Sequence, residues 1–244
     1  MPDSNDRSRR TDGASIAGSV MTGYAQMRVE LKYLLAASFM AVPGSLLFAK
    51  LIMPETERTE ERFEKAQVEA AENVLDAAGQ GASSGLKLAL KVGALLLAFI
   101  ALIALMNMGI SEVGRWFGDP GLTLQKILGS LFAPLAWLVS VPWAEATAGG
   151  SFIGQKLILN EFVACAGLVE IQEELTPLSR GVITFALCGF ANLSSIAILL
   201  GGLGGVVPSR RAEIARLGLW AVVAASLANL MSAAIAGFFL PFIL

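Results

Sequence analysis

Three long apolar runs decide what this chain can fold into: residues 31–53, 92–110 and 217–244. As a helix, the first of them is about 34 Å long, enough to cross a hydrocarbon core of ~30 Å. Away from water a backbone must satisfy its own polar groups, so a spanning segment of this kind is a helix. Composition agrees: 55% of residues are hydrophobic and 16% charged, against about 25% charged in soluble domains. Mean hydropathy is +0.65. The chain therefore reads as an all-α integral membrane protein built as one helical bundle.

Between the runs the chain reads as follows. Residues 1–12 form a polar, disordered tail with no apolar stretch that would make it a signal peptide. Residues 13–27 are rich in small residues and read as a short packing helix. In the first span, Lys32 and Lys50 sit near the ends, where they can snorkel, and Pro43-Gly44 predicts a kink. Residues 54–78 are strongly charged, with Phe63, Ala66, Ala70, Val74 and Ala77 at helical spacing, and read as an amphipathic surface helix. Gly79-Gln80-Gly81-Ala82-Ser83-Ser84-Gly85 reads as a flexible break. Trp116 and Phe117 mark an interfacial loop, residues 114–121. Residues 122–143, interrupted by Pro134 and Pro142, read as a segment lying along the interface or dipping partway in. Residues 168–180 read as a polar loop.

The chemistry concentrates in residues 149–169. Glu161 stands there beside Asn160, with Leu157-Ile158-Leu159 before and Phe162-Val163-Ala164 after. An ionisable group at membrane depth costs several kcal/mol and marks a binding site by default. Each arm, about 10 residues, is too short to cross the membrane. The pattern predicts two half-helices meeting at Asn160-Glu161, a re-entrant hairpin over residues 144–168. The plainer alternative is a buried Asn-Glu pair that ties helices together. A second interruption, Asn192-Leu193-Ser194-Ser195 inside the apolar residues 181–200, predicts a discontinuous helix whose freed backbone contacts a ligand. Here the alternative is Ser and Asn packing across helices, worth about 0.6 kcal/mol each.

Other chemistries are excluded or unsupported. The chain has no histidine, which removes the commonest metal ligand, triad base and proton relay. Cys165 and Cys188 lack metal-site spacing and read as small core residues. No cofactor motif stands out, and no basic patch suggests nucleic acid. Cation placement gives an orientation: Arg58, Arg62, Lys65, Lys87, Lys91, Arg210, Arg211 and Arg216 fall on one side. Arg28, Arg115, Lys126 and Arg180 fall on the other, which predicts an extracytoplasmic C-terminus. Gly13–Val20 (GASIAGSV) and Gly189–Ile196 (GFANLSSI) share a faint repeat, as inverted-repeat transporters do.

Six stretches occur in the order found in one family: ASIAGSVM, LIMPETE, NVLDAAGQGASSGLKLAL, FAPLAWLVSVPW, LNEF and CGFANLSSI. With them the chain resembles the C-terminal half of the concentrative nucleoside transporters. The resemblance implies a homotrimeric secondary transporter of the inner (plasma) membrane that couples nucleoside uptake to a sodium or proton gradient, without a cofactor. It implies that Glu161, Asn192 and Ser195 bind the ribose hydroxyls and that Phe190 lines the sugar pocket. It implies that Val20 packs against the base, and that the Ser15 hydroxyl and Ile16 carbonyl supply part of a sodium shell. The family's earlier hairpin, with its Gly-Gln-Thr-Glu-type motif, and its first scaffold helices have no counterpart in this sequence. The expectation is thus a ribose-binding half that does not transport alone. The alternative is a non-transporting membrane protein that assembles with an intact homologue.

Overall fold

The computed structural model describes residues 24–27, 29–54, 73–196, 200 and 211–244. Its helices are α1 (Leu31–Ile52), α2 (Val74–Trp116), α3 (Leu124–Leu138), α4 (Trp143–Ile158), α5 (Glu161–Ile171), α6 (Pro177–Leu187) and α7 (Arg211–Phe239). Three described segments are long and apolar enough to cross a membrane: Leu31–Ile52, Leu97–Trp116 and Ile214–Phe242. The α3–α4 pair, bent by 114°, would make a fourth if counted as one span.

α1 has one face packed against protein and an apolar face left exposed. Leu34, Ala37, Ala41 and Gly44 recur at helical spacing and are buried, while Phe39 and Leu47 on other faces are exposed. Small residues let α7 come close. A Cβ at Gly44 would stand 2.9 Å from Met231 and 3.4 Å from Ala228. Pro43, where a kink is expected, lies inside one uninterrupted helix.

The second span departs more from expectation. α2 begins at Val74, where Asn73 accepts from the Asp76 backbone N–H at 2.9 Å, and it continues to Trp116. Residues 74–78, assigned from sequence to the surface helix, open α2 instead, and residues 55–72 lie outside the described residues. The expected flexible break at Gly79–Gly85 is helical. A glycine in a helix costs only about 1 kcal/mol against alanine, and the flanking turns already fix the backbone. Lys87 and Lys91 accordingly lie on a helix and not in a loop.

The segment expected along the interface or dipping partway in contains α3, one face of which packs against α4. Its Leu128, Ala133 and Ala136 are buried against α4. The crossing is tight enough to require glycine: a Cβ on Gly150 would lie 2.6 Å from the Ala133 nitrogen and 2.7 Å from the Gly129 oxygen. Asn107 of α2 pins the start of α3, accepting from Leu124 N–H at 2.8 Å and donating to Gln125 at 3.0 Å.

The polar loop expected over residues 168–180 shrinks to a few residues. α5 runs on to Ile171, a 3₁₀ turn covers Gln172–Glu174, and α6 starts at Pro177. Thr176 caps α6 by accepting from Ser179 N–H at 3.3 Å, and its own hydroxyl donates to Glu145 at 3.0 Å. The core where these helices meet includes Phe152, Cys165, Leu168, Ile183, Leu187 and Ala233. Both cysteines are free and buried there, as small core residues should be. The final helix α7 begins at Arg211, earlier than the apolar run that announces it.

Candidate functional site

The site is built on two interruptions that face each other. The first separates α4 from α5. Leu159 and Asn160 leave the helical conformation, and Asn160, extended at φ −165°, caps α5 by accepting from Val163 N–H at 2.9 Å. Asn160 is the kind of residue that makes such a cap, since its short side-chain oxygen replaces a missing helical acceptor. Glu161 is then the first residue of α5 and only 2% exposed. A carboxylate at a helix N-terminus is stabilised by the free N–H groups there.

The second interruption follows α6. The chain leaves the helix at Cys188, passes Gly189 at φ 144°, and resumes a helical turn over residues 193–196. That positive φ is where glycine is preferred. The discontinuity predicted at Asn192–Ser195 is present, with its break a few residues earlier and Asn192 as the cap of the second piece. Asn192 Oδ1 accepts from Ser195 N–H at 2.8 Å and lies 2.6 Å from the Ser194 hydroxyl, which donates to it.

These bonds fix which way the Asn192 amide points. A backbone N–H can only donate, so Oδ1 faces it and Nδ2 faces the other way. Nδ2 donates to Glu161 Oε2 at 2.5 Å, joining the two interruptions. The Ser195 hydroxyl lies 3.0 Å from Asn192 Oδ1 and 2.9 Å from the Phe190 carbonyl, and its single hydrogen serves one of them at a time. Asn192 is 1% exposed and Ser195 5%, while Phe190 is half-buried beside them. Glu161, Asn192, Ser195 and Phe190 are therefore one cluster. Ser15, Ile16 and Val20 lie outside the described residues. Tyr24, the first described residue after them, packs on Phe162, the neighbour of Glu161, with ring centroids 4.9 Å apart.

The cluster has a second charge that the sequence reading passed over. Lys156, in the last turn of α4, is 4% exposed. Its Nζ donates to the Ala186 carbonyl at 2.6 Å and to Asn229 Oδ1 of α7 at 2.7 Å. Asn229, 1% exposed, donates in turn to the Cys188 carbonyl at 3.1 Å. The available signal was a lysine beside Leu157-Ile158 in the same apolar stretch as Glu161.

A family profile described as Na+ dependent nucleoside transporter C-terminus matches residues 33–237. The chain belongs to this family. Among relatives of the nucleoside transporter family, the transporter YutK of Bacillus subtilis is 56% identical over 94% of this chain and 58% of its own length. The nucleoside permease NupC of Helicobacter pylori is 48% identical over 93% of this chain and 55% of its own. The fold is similar to that of CNTnw in an inward-facing substrate-bound state, with a TM-score of 0.92 at 55% identity. That match covers 97% of this chain and 57% of CNTnw. The chain thus spans somewhat more than half the length of these three relatives. It is a multi-pass membrane protein of a transporter family and not an enzyme.

Proposed function

We propose that this chain carries the ribose-binding half of a nucleoside symporter driven by a sodium or proton gradient. The observation that carries the reading is the bond from Asn192 Nδ2 to Glu161 Oε2, which joins the two helix interruptions away from solvent. An ionised carboxylate is acceptor-only, with about four lone-pair sites. Asn192 uses one of them, and the vicinal hydroxyls of a ribose suit the rest through charge-assisted bonds. Ser195 adds a hydroxyl that both donates and accepts, and Phe190 adds an apolar wall. Similarity to a substrate-bound CNTnw structure and to a nucleoside permease supports a nucleoside as the ligand. The family description, which names sodium dependence, supports sodium as the coupling ion over protons.

Further elements of the reading come from the family resemblance. The α4–α5 pair, residues 144–168, is a re-entrant hairpin, and the working assembly is a homotrimer. Ser15 and Ile16 contribute oxygens to the coupling ion, and Val20 contacts the base. Cation placement puts the C-terminus outside the cytoplasm. A periplasmic reporter enzyme fused after Leu244 should be active, and activity only from a cytoplasmic reporter would reverse that orientation.

The test of the site uses this chain joined to the N-terminal part of a NupC-type permease and reconstituted in liposomes. Glu161→Gln keeps the shape of the side chain, removes its charge and replaces one acceptor oxygen with a donor. Uridine affinity should fall at least about tenfold, or about 1.4 kcal/mol. Gradient-driven uptake with unchanged affinity would remove Glu161 from the binding site.

A further inference from the structure

The break after α6 raises a question that the ribose site does not answer. A helix that stops inside protein leaves its last carbonyls without intrahelical partners and presents the negative end of its dipole. Of the last four carbonyls of α6, Thr184 accepts from the Cys188 N–H at 3.0 Å. Ala186 has no such local donor. Its partner is the Lys156 ammonium from α4, at 2.6 Å. The next carbonyl beyond the helix, Cys188, is held by Asn229 from α7. Lys156 and Asn229 are themselves joined, so one ammonium and one amide tie α4, α6 and α7 together at the point where the chain turns towards Asn192.

We propose that Lys156 and Asn229 form a clamp on the end of α6 and are positioning residues for the ligand site. Lys156 supplies a donor-only ammonium where the broken helix presents its negative end. Asn229 orients itself between a donor-only ammonium and an acceptor-only carbonyl, so its amide has one satisfying orientation. The clamp fixes where the chain leaves α6, and only a few residues separate that point from the Asn192–Glu161 bond. The inference rests on the ribose reading for its functional consequence, while the clamp itself can be measured without a ligand.

Cys188 provides that measurement, because the chain has 2 cysteines and Cys188 lies in the break, 3% exposed. In a Cys165→Ala background, alkylation by a membrane-permeant maleimide reports opening of the break. Lys156→Met and Asn229→Ala should each speed Cys188 labelling at least about tenfold, as loss of a buried charged bond does to a local opening equilibrium. Lys156→Arg, which keeps the charge and the donors, should restore protection. Labelling of Cys165 in a Cys188→Ala background should not follow. If Lys156→Met does not fold, Asn229→Ala carries the test. Unchanged Cys188 labelling, or an equal rise at Cys165, would overturn the clamp. In the joined transporter both variants should raise the uridine KM, with Glu161→Gln measured beside them. Faster labelling with an unchanged KM, where Glu161→Gln does raise it, would overturn the positioning role. If Glu161→Gln has no effect, the ribose reading fails and the labelling result still stands.

Discussion

Asn192 serves two masters with one amide. Its oxygen caps a helical turn and its nitrogen meets Glu161. Its removal therefore mixes a lost cap, about 1 kcal/mol, with a lost bond to Glu161. Ser195 separates the two better, because its backbone N–H remains after truncation to alanine. We predict that Ser195→Ala weakens uridine binding by about 1 kcal/mol. The loss should be smaller for 2′-deoxyuridine or 3′-deoxyuridine, whichever lacks the contacted hydroxyl. Equal losses for all three in competition binding would make Ser195 a packing residue. At this scale the sequence was informative for acids and amides and silent on Lys156. A carboxylate flanked by apolar residues on both sides has few uses in a membrane. A lysine in the same surroundings is easily taken for one that snorkels, and its carbonyl partners are remote in sequence.

Among the elements, the long apolar spans were legible, and so was the interruption at Asn192, because periodicity and an out-of-place polar cluster are local signals. The boundaries missed were set by other physics. Gly79–Gly85 looked like a break because glycine is a poor helix former, but the helix loses only a little at each such residue. Residues 168–180 looked like a loop because they are polar. The Thr176-Pro177 pair is nonetheless a helix start, with a capping hydroxyl followed by a proline that needs no N–H partner. The burial of α3 was not readable at all, because it depends on glycines of α3 and α4 meeting across a crossing. Those glycines give a stability prediction. Gly150→Ala would drive a methyl into the α3 backbone and should lower the thermal unfolding midpoint of the solubilised protein by several degrees. Gly109→Ala, whose added methyl meets nothing within 4 Å, should be neutral or stabilising by up to about 1 kcal/mol. A Gly150→Ala protein as stable as its parent would mean that the crossing is looser than described.

For the whole molecule, the buried charges matter as a sum. Glu161 and Lys156 flank the α4–α5 interruption and carry opposite formal charges within one packed unit. Moving a single elementary charge through the membrane potential is worth about 2.3 kcal/mol per 100 mV. A unit holding both signs moves through that field at almost no electrical cost, whichever way it travels. In a transporter containing this chain, the charge crossing with each uridine should then equal that of the coupling ions alone. Simultaneous current and isotope-flux recordings should give a whole-number ratio that does not change with voltage. Lys156→Met would leave the carboxylate uncompensated, and the empty carrier would acquire a net charge on its return. Return of its empty carrier should become voltage-dependent, where the parent's empty return is not. The lysine before the α4–α5 interruption would thus make the empty carrier electrically silent.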